Sequence, residues 1–328
     1  MRSPRAGSRL GPDRPFPGLR PYGFADHEYF HGRMDQVYAL YRLLDRSRFT
    51  AVVGASGSGK SSLVRAGLLP LLQEETDEGR ARRWQWFQLR PGNTPFARLA
   101  QTLVEFQPET KDELDPEIDD IRRKTIEVLL QRSSFGLRDA LRELQELHDC
   151  SILIVVDQFE EIFRYADLVD DQDGDPVVRE SRLSRAAAFV QVLLEASRDS
   201  SRPIHVMLTM RSDYLGDCAL FHDLPEAVAA SQFLVPSLTR DQREQAIRGP
   251  IEQAGASVEP ELVQRLLNDS GAGNDQLPVL QHALMRTWDE AGREGHSIAG
   301  VPRSSLAPHD GPVGVRQLMT KHYEAIGT

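Results

Sequence analysis

Between the apolar run Ala51–Val53 and an apolar pattern of helical spacing over Ser62–Leu69, the chain places Gly54, Gly57, Gly59 and Lys60. Glycine is costly inside regular structure, so such a cluster marks backbone that must bend sharply or come very close to something. A short buried strand that enters a helix through this junction can point successive N–H groups inward at an anion. The helix start adds partial positive charge. The loop Gly54, Ala55, Ser56, Gly57, Ser58, Gly59, Lys60, Ser61 and Ser62 is therefore expected to cradle phosphates. Lys60 would reach the β- and γ-phosphates, and the Ser61 hydroxyl would take a place on Mg²⁺. Every position of G-x-x-x-x-G-K-[ST] is filled. The alternative, a glycine-rich turn with an incidental lysine, needs a chance match on the order of one in a hundred at average residue usage.

A chain of 328 residues with 40% hydrophobic content is long enough for two well-filled domains. Its 49 acidic and 39 basic side chains leave a net charge of −10, which argues against a broad surface tracking nucleic-acid phosphates. Cys150 and Cys218 lack CxxC or metal-ligand spacing and read as reduced structural thiols of a cytoplasmic protein. No apolar run has the length of a membrane span, and the basic, Pro- and Gly-rich start, residues 1–15, reads as disordered rather than as a signal peptide. The last residues, "VGVRQLMTKHYEAIGT", open an amphipathic helix almost where the chain stops, the pattern of a fragment of a longer polypeptide.

After the glycine loop, Arg82–Gly92 reads as a strand closed by a Pro-Gly turn, and "TPFARLAQTLVEF" as a helix. Gln107–Asp120 reads as an acidic loop or helix edge, and two amphipathic helices then lead into "SILIVVDQFEEIF", the strongest strand pattern. Asp167–Arg182 reads as an acidic surface loop, since the calcium-loop alternative lacks the EF-hand spacing and terminal Glu. A helix, the strand "IHVMLTMRSDY" and the short strand in "SQFLVPSL" complete the alternation. Strands alternating with helices predict a parallel sheet covered on both faces. Beyond about Pro236 the pattern is helical, opening on the capping-box pair Thr239 and Gln242. The fold expected is α/β over residues 16–235, followed by a smaller all-helical lid over 236–328.

Asp157 ends the apolar run Ile152–Val156, the end of a parallel strand where ligands gather. A carboxylate there can hold Mg²⁺ opposite Ser61. Glu160 and Glu161 follow, and one of them would orient or deprotonate an attacking water. Arg211, ending the next strand, suits the γ-phosphate and transition-state charge, with an ion pair to Asp213 as the plainer alternative. His282 is assigned no role.

Taken in order, "PFPGLRPY", "YFHGR", "VVGASGSGKSSLVRAGLLP", "LRPGNTPFARLA", "ILIVVDQFEEIF", "LTMRSDY" and "LPVLQHALMRTW" resemble the bacterial novel STAND NTPase module, kin to NACHT and NB-ARC domains, from about Pro15 onward. The resemblance implies an ASCE-type P-loop NTPase sheet of order 5-1-4-3-2 and ATP as the preferred nucleotide. It places Gly32 and Arg33, the family's hhGR box, by the adenine. It makes Arg211 the sensor arginine of a TxR strand end. It sets Pro278 near the base, although Gln276 stands where the family's GLPL motif has glycine. "DQFEE" fits the family's D-x-x-E/D-E extension without choosing between Glu160 and Glu161, and Gln158 stands where many related ATPases carry the glutamate base.

The function implied is a slow Mg-ATPase that acts as a signalling switch, in defence or regulated cell death. ADP would hold a closed monomer and ATP an open, self-associating form, with effector and sensor domains outside this chain. The alternatives are a nucleotide-binding interaction scaffold without turnover and an AAA+-like motor, for which the sequence shows no arginine finger.

Overall fold

The computed structural model describes residues 9–77, 83–105, 116–148, 150–167, 176–199, 203–269, 276–299, 317–318 and 320–325. One compact unit is drawn from residues 38–55 and 71–235, and a second from the described residues of 2–37, 56–70 and 236–328.

After a 3₁₀ helix over Phe24–Tyr29 come α1 (Met34–Arg46) and β1 (Phe49–Gly54). Next come α2 (Lys60–Ser62), wider π-type turns over Leu63–Leu68, and α3 (Leu69–Asp77). Helix α1 was not foreseen, although Val37, Leu40 and Leu44 recur at helical spacing and are all but fully buried. In the first unit, β1 joins β2 (Trp84–Leu89), β3 (Ser151–Val156), β4 (Ile204–Arg211) and β5 (Gln232–Leu234) in a parallel sheet of order β2-β3-β4-β1-β5. That is the expected 5-1-4-3-2 order read from the opposite edge.

Every residue of β1 and β3 is buried, as continuous apolar runs covered on both faces require. The covering helices are α4 (Pro95–Val104), α5 (Pro116–Arg132), α6 (Gly136–His148), α7 (Glu160–Asp167), α8 (Pro176–Arg198) and α9 (Leu224–Ala230). Phe87, Leu99, Leu130, Ile154, Phe189 and Val206 meet in their core. The acidic stretch Asp167–Arg182 is a loop only in part, because α8 already begins at Pro176, where a missing N–H is harmless. Its residues 168–175, like 106–115 of the earlier acidic stretch and Arg82, lie outside the described residues.

In the second unit, α10 (Arg240–Gln253), α11 (Pro260–Asp269), α12 (Gln276–Ala299) and α13 (Thr320–Ala325) share a core of Ile247, Leu262, Leu266, Leu284, Trp288 and Tyr323. The predicted capping box forms: Gln242 N donates to Thr239 Oγ1 at 3.2 Å, and Thr239 N donates to Gln242 Oε1 at 3.1 Å. The helical region also holds a small parallel ladder, β6 (Ser257–Val258) with β7 (Gln317–Leu318). Two residues per strand carry no periodicity that a sequence pattern could show.

Residues 1–8 of the segment read as disordered lie outside the described residues. Residues 9–15 are tied down by specific partners. Leu10 is buried beside Tyr22, Tyr29 and Ala66, and its amide donates to Asp26 Oδ1 at 3.0 Å. The Trp288 indole donates to Asp13 O at 2.9 Å, and Phe16 meets the Trp288 ring edge-on at 6.3 Å. Gly18, at φ 67°, lies so close to α12 that a Cβ would sit 2.7 Å from Met285 Sδ. "PFPGLRPY" thus packs along "LPVLQHALMRTW".

Candidate functional site

Two sets of predicted residues come together, one around the loop from Ser56 onward in the second unit and one in the first unit. The first is the glycine loop. Gly57 and Gly59 have φ of 69° and 90°, the left-handed region that favours glycine, and Gly59 caps α2. Gly54 does otherwise: it closes β1 as a strand residue in register with Arg211 and is not among the residues with positive φ. Lys60 and Ser62 are buried and Ser61 is half-buried in the first turn of helix. The Ser62 hydroxyl accepts the Tyr22 amide at 3.1 Å, and the Tyr22 hydroxyl donates to Gln281 Oε1 of α12 at 2.9 Å. Burial pushes the Tyr22 phenol far up, so it stays a neutral donor.

Arg33 reaches the same loop. Its Nη2 donates to Ser58 O at 2.9 Å and its Nη1 to Pro236 O at 2.8 Å. Burial pulls this guanidinium down to about 10, which still leaves it charged at neutral pH. Gly32, at φ 81°, lies against α10, where a Cβ would fall 2.3 Å from Gln242 O. From α12, Leu277 brings Cδ1 to 3.9 Å of the place where Gly59 would carry a Cβ. Pro278 follows Leu277 in the first turn of that helix.

The second set surrounds Asp157, a carboxylate only 1% exposed at the end of β3. The Thr209 hydroxyl lies 2.6 Å from Asp157 Oδ1 and 3.0 Å from the Gln158 amide. A backbone N–H can only donate, so Thr209 accepts from Gln158 and gives its own hydrogen to Asp157. Phe159 N donates to Thr209 O at 2.8 Å. Together these bonds hold Gln158 at φ 59°, a conformation that costs a non-glycine residue on the order of 1 kcal/mol or more. Arg90 Nε stands 3.5 Å from Asp157 Oδ2.

Glu160 and Glu161 open α7. Adjacent helical residues are rotated by roughly 100°, so the two carboxylates meet different partners. Glu161 Oε2 accepts the Gly92 amide at 2.9 Å, in the turn after β2. Glu160 is buried and lies in the electrostatic field of Arg164 and Arg211. Arg211 forks onto Asp213, with bonds of 3.0 and 2.6 Å, and sits over the Tyr214 ring. The ion pair weighed as the plainer alternative is therefore present.

Thr209, Arg90 and Gly92 were not singled out from the sequence. Thr209 had a signal, since residues two apart in a strand share a face and Thr209 stands two before Arg211. Thr209→Val keeps the shape but removes both bonds and leaves the Gln158 amide unsatisfied. It is expected to lower stability by about 1–3 kcal/mol in thermal or urea unfolding, with Thr209→Ser restoring most of it. A melting curve for Thr209→Val that matches Thr209→Ser would refute the assignment.

Both cysteines are free thiols, and burial pushes Cys218 up to about 11. Among the described residues no group of three or more His, Cys, Asp or Glu could hold a metal, and no helix is long and apolar enough to cross a membrane.

Solved structures resemble the chain. The Aeropyrum pernix ORC2 protein, determined in ADPNP and ADP complexes, matches at TM-score 0.50 and 12% identity, over 84% of this chain and 65% of that one. Cdc6p from Pyrobaculum aerophilum matches at TM-score 0.43 and 14% identity, over 80% of this chain and 62% of that one. This chain spans less than two thirds of either. No curated protein sequence matches it. The parallel sheet in this order is that expected of a P-loop NTPase fold, and the class is that of nucleotide-binding NTPases. More narrowly, the chain belongs to the Novel STAND NTPase 1 family, whose model matches residues 15–325.

Proposed function

We propose that the protein is a slow, Mg²⁺-dependent ATPase that works as a signalling switch, changing conformation and self-association with the nucleotide it holds. The supporting observation is the glycine loop: Gly57 and Gly59 adopt left-handed backbone immediately before the first turn of helix, where Lys60 and Ser61 stand. Backbone of that form aims N–H groups at an anion, and the helix start favours negative charge. Residues 16–235 act as the NTPase domain and 236–328 as the lid, with effector and sensor functions supplied from elsewhere.

The donors fit magnesium. Ser61 and Asp157 offer hard oxygen atoms, and Mg²⁺ takes one or two protein oxygens and completes its shell with phosphates and water. When bound, the ion would neutralise phosphate charge. The chain's own residues do the rest. Lys60 holds the β- and γ-phosphates, Thr209 keeps Asp157 in one orientation, and Glu160 orients the attacking water. Arg211 answers charge on the γ-phosphate once it leaves Asp213. The γ-phosphate is also what a switch must read, because a ligand moves a conformational equilibrium only by its difference in affinity for the two states.

A second reading, a scaffold that binds ATP or ADP without turnover, is favoured by the fork of Arg211 onto Asp213, which withholds the sensor group. Mass spectrometry of nucleotide freed from the denatured protein, followed by titration and phosphate release over long incubation, separates the two. The switch predicts bound adenine nucleotide and slow phosphate release that requires Mg²⁺. Retained nucleotide with no release at all would establish the scaffold instead.

A further inference from the structure

We infer that His31-Gly32-Arg33 is a tie that sets the shape of the glycine loop from the position of α10, with Arg33 as the positioning residue. The inference rests on reading that loop as the nucleotide seat.

Three consecutive residues are anchored in three ways. The His31 ring lies on Gly249 of α10, where a Cβ would fall 2.3 Å from its Cγ. Gly32 lies on the same helix two turns earlier, with its missing Cβ 2.3 Å from Gln242 O and 3.4 Å from Ala246 N. Residues 242, 246 and 249 share one face of a helix. Neither glycine leaves room for a side chain, so α10 cannot shift along this contact without carrying the tripeptide with it. Arg33 then spans two carbonyls, Ser58 O in the loop and Pro236 O in the segment that leads into α10. The planar guanidinium fork fixes both at once.

The bond to Ser58 acts on more than one atom. A peptide unit is rigid and trans, so its C=O and the following N–H point in opposite directions. Holding Ser58 O toward Arg33 therefore turns the Gly59 N–H away from it, toward the side on which the loop would take a phosphate. Gly57 and Gly59, both at positive φ, give that peptide the freedom to turn if the bond is lost. Movement of α10 would loosen the grip on phosphate, and by linkage bound nucleotide would hold α10 in place.

The test uses the full chain and a fluorescent ADP analogue, with dissociation followed by stopped flow. Arg33→Lys, which can reach one carbonyl, is expected to raise the dissociation rate about tenfold, and Arg33→Ala about a hundredfold. The KM for ATP rises by a larger factor than kcat falls. Gly249→Ala, which touches only the far end of the tie, is expected to raise the rate about fivefold. Because both act through one segment, Arg33→Lys/Gly249→Ala should not reach the product of the single effects. A merely structural role would lower melting temperature and the binding-competent fraction while leaving the dissociation rate and KM as they are. The tie is refuted if Arg33→Lys releases the analogue within twofold of the parent rate, or if the two changes multiply. Should Gly249→Ala fail to fold, the two Arg33 variants decide alone. A parent chain that takes up no ADP analogue would bring down the nucleotide seat, and the tie with it.

Discussion

Lys60→Ala is expected to remove measurable nucleotide binding: calorimetry at saturating magnesium should show the affinity for ATP and ADP falling by roughly a hundredfold or more. Lys60 is the first residue of α2 and is only 9% exposed, so its ammonium group works out of water, where charge interactions are strong. A charged hydrogen bond contributes about 1.5–3 kcal/mol, and a lysine that bridges two phosphates makes more than one. About 3 kcal/mol corresponds to roughly a hundredfold in affinity. The fold should survive, because removing a buried charge relieves desolvation as well as losing contacts. A near-parental melting temperature without nucleotide, together with no stabilisation by added ATP, is the combination expected. Parental affinity in this variant would mean that the glycine loop is a turn and not a phosphate seat, and the switch, the hydrolysis and the tie would fall together.

The loop was legible because its residues state their own geometry. Glycine at positions 57 and 59 marks positive φ, and the strand-before, helix-after context is written in the flanking apolar pattern. Burial of β1 and β3 on both faces was equally plain from their unbroken apolar runs. The strand order came only through the family resemblance, since periodicity says which residues face inward and not which strands are neighbours. What surrounds Asp157 was hidden for a related reason. Thr209, Arg90 and Gly92 lie far from residue 157 in sequence, and the sheet register and α7 bring them to one place. The tie was hidden too: "HGR" is visible as a motif, but that Arg33 grips Ser58 and Pro236 depends on contacts 25 and 203 residues away in the chain. Residues 9–15 hold specific contacts that composition does not show, because Leu10 finds apolar partners and Asp13 O accepts the Trp288 indole.

Adjacency in sequence left Glu160 and Glu161 equivalent, and their helical geometry makes them unequal. Glu160→Gln should retain ATP and lose hydrolysis by about 10²–10⁴-fold, the range of a positioned general base. Glu161→Gln should stay within about threefold of the parent, because its partner is the Gly92 N–H and a glutamine oxygen accepts that bond as a carboxylate does. Glu160 is the buried member of the pair, in the field of Arg164 and Arg211. Its replacement by the neutral isostere removes a proton acceptor and a negative charge while keeping the volume, so nucleotide affinity should change little. Phosphate release under single-turnover conditions, paired with calorimetric titration of ATP on the same samples, separates chemistry from binding. If Glu160→Gln turns over at the parental rate, or if Glu161→Gln loses more activity than Glu160→Gln, the water is oriented by another group. If both variants hydrolyse normally while Lys60→Ala still abolishes binding, the nucleotide seat stands and the carboxylate mechanism does not.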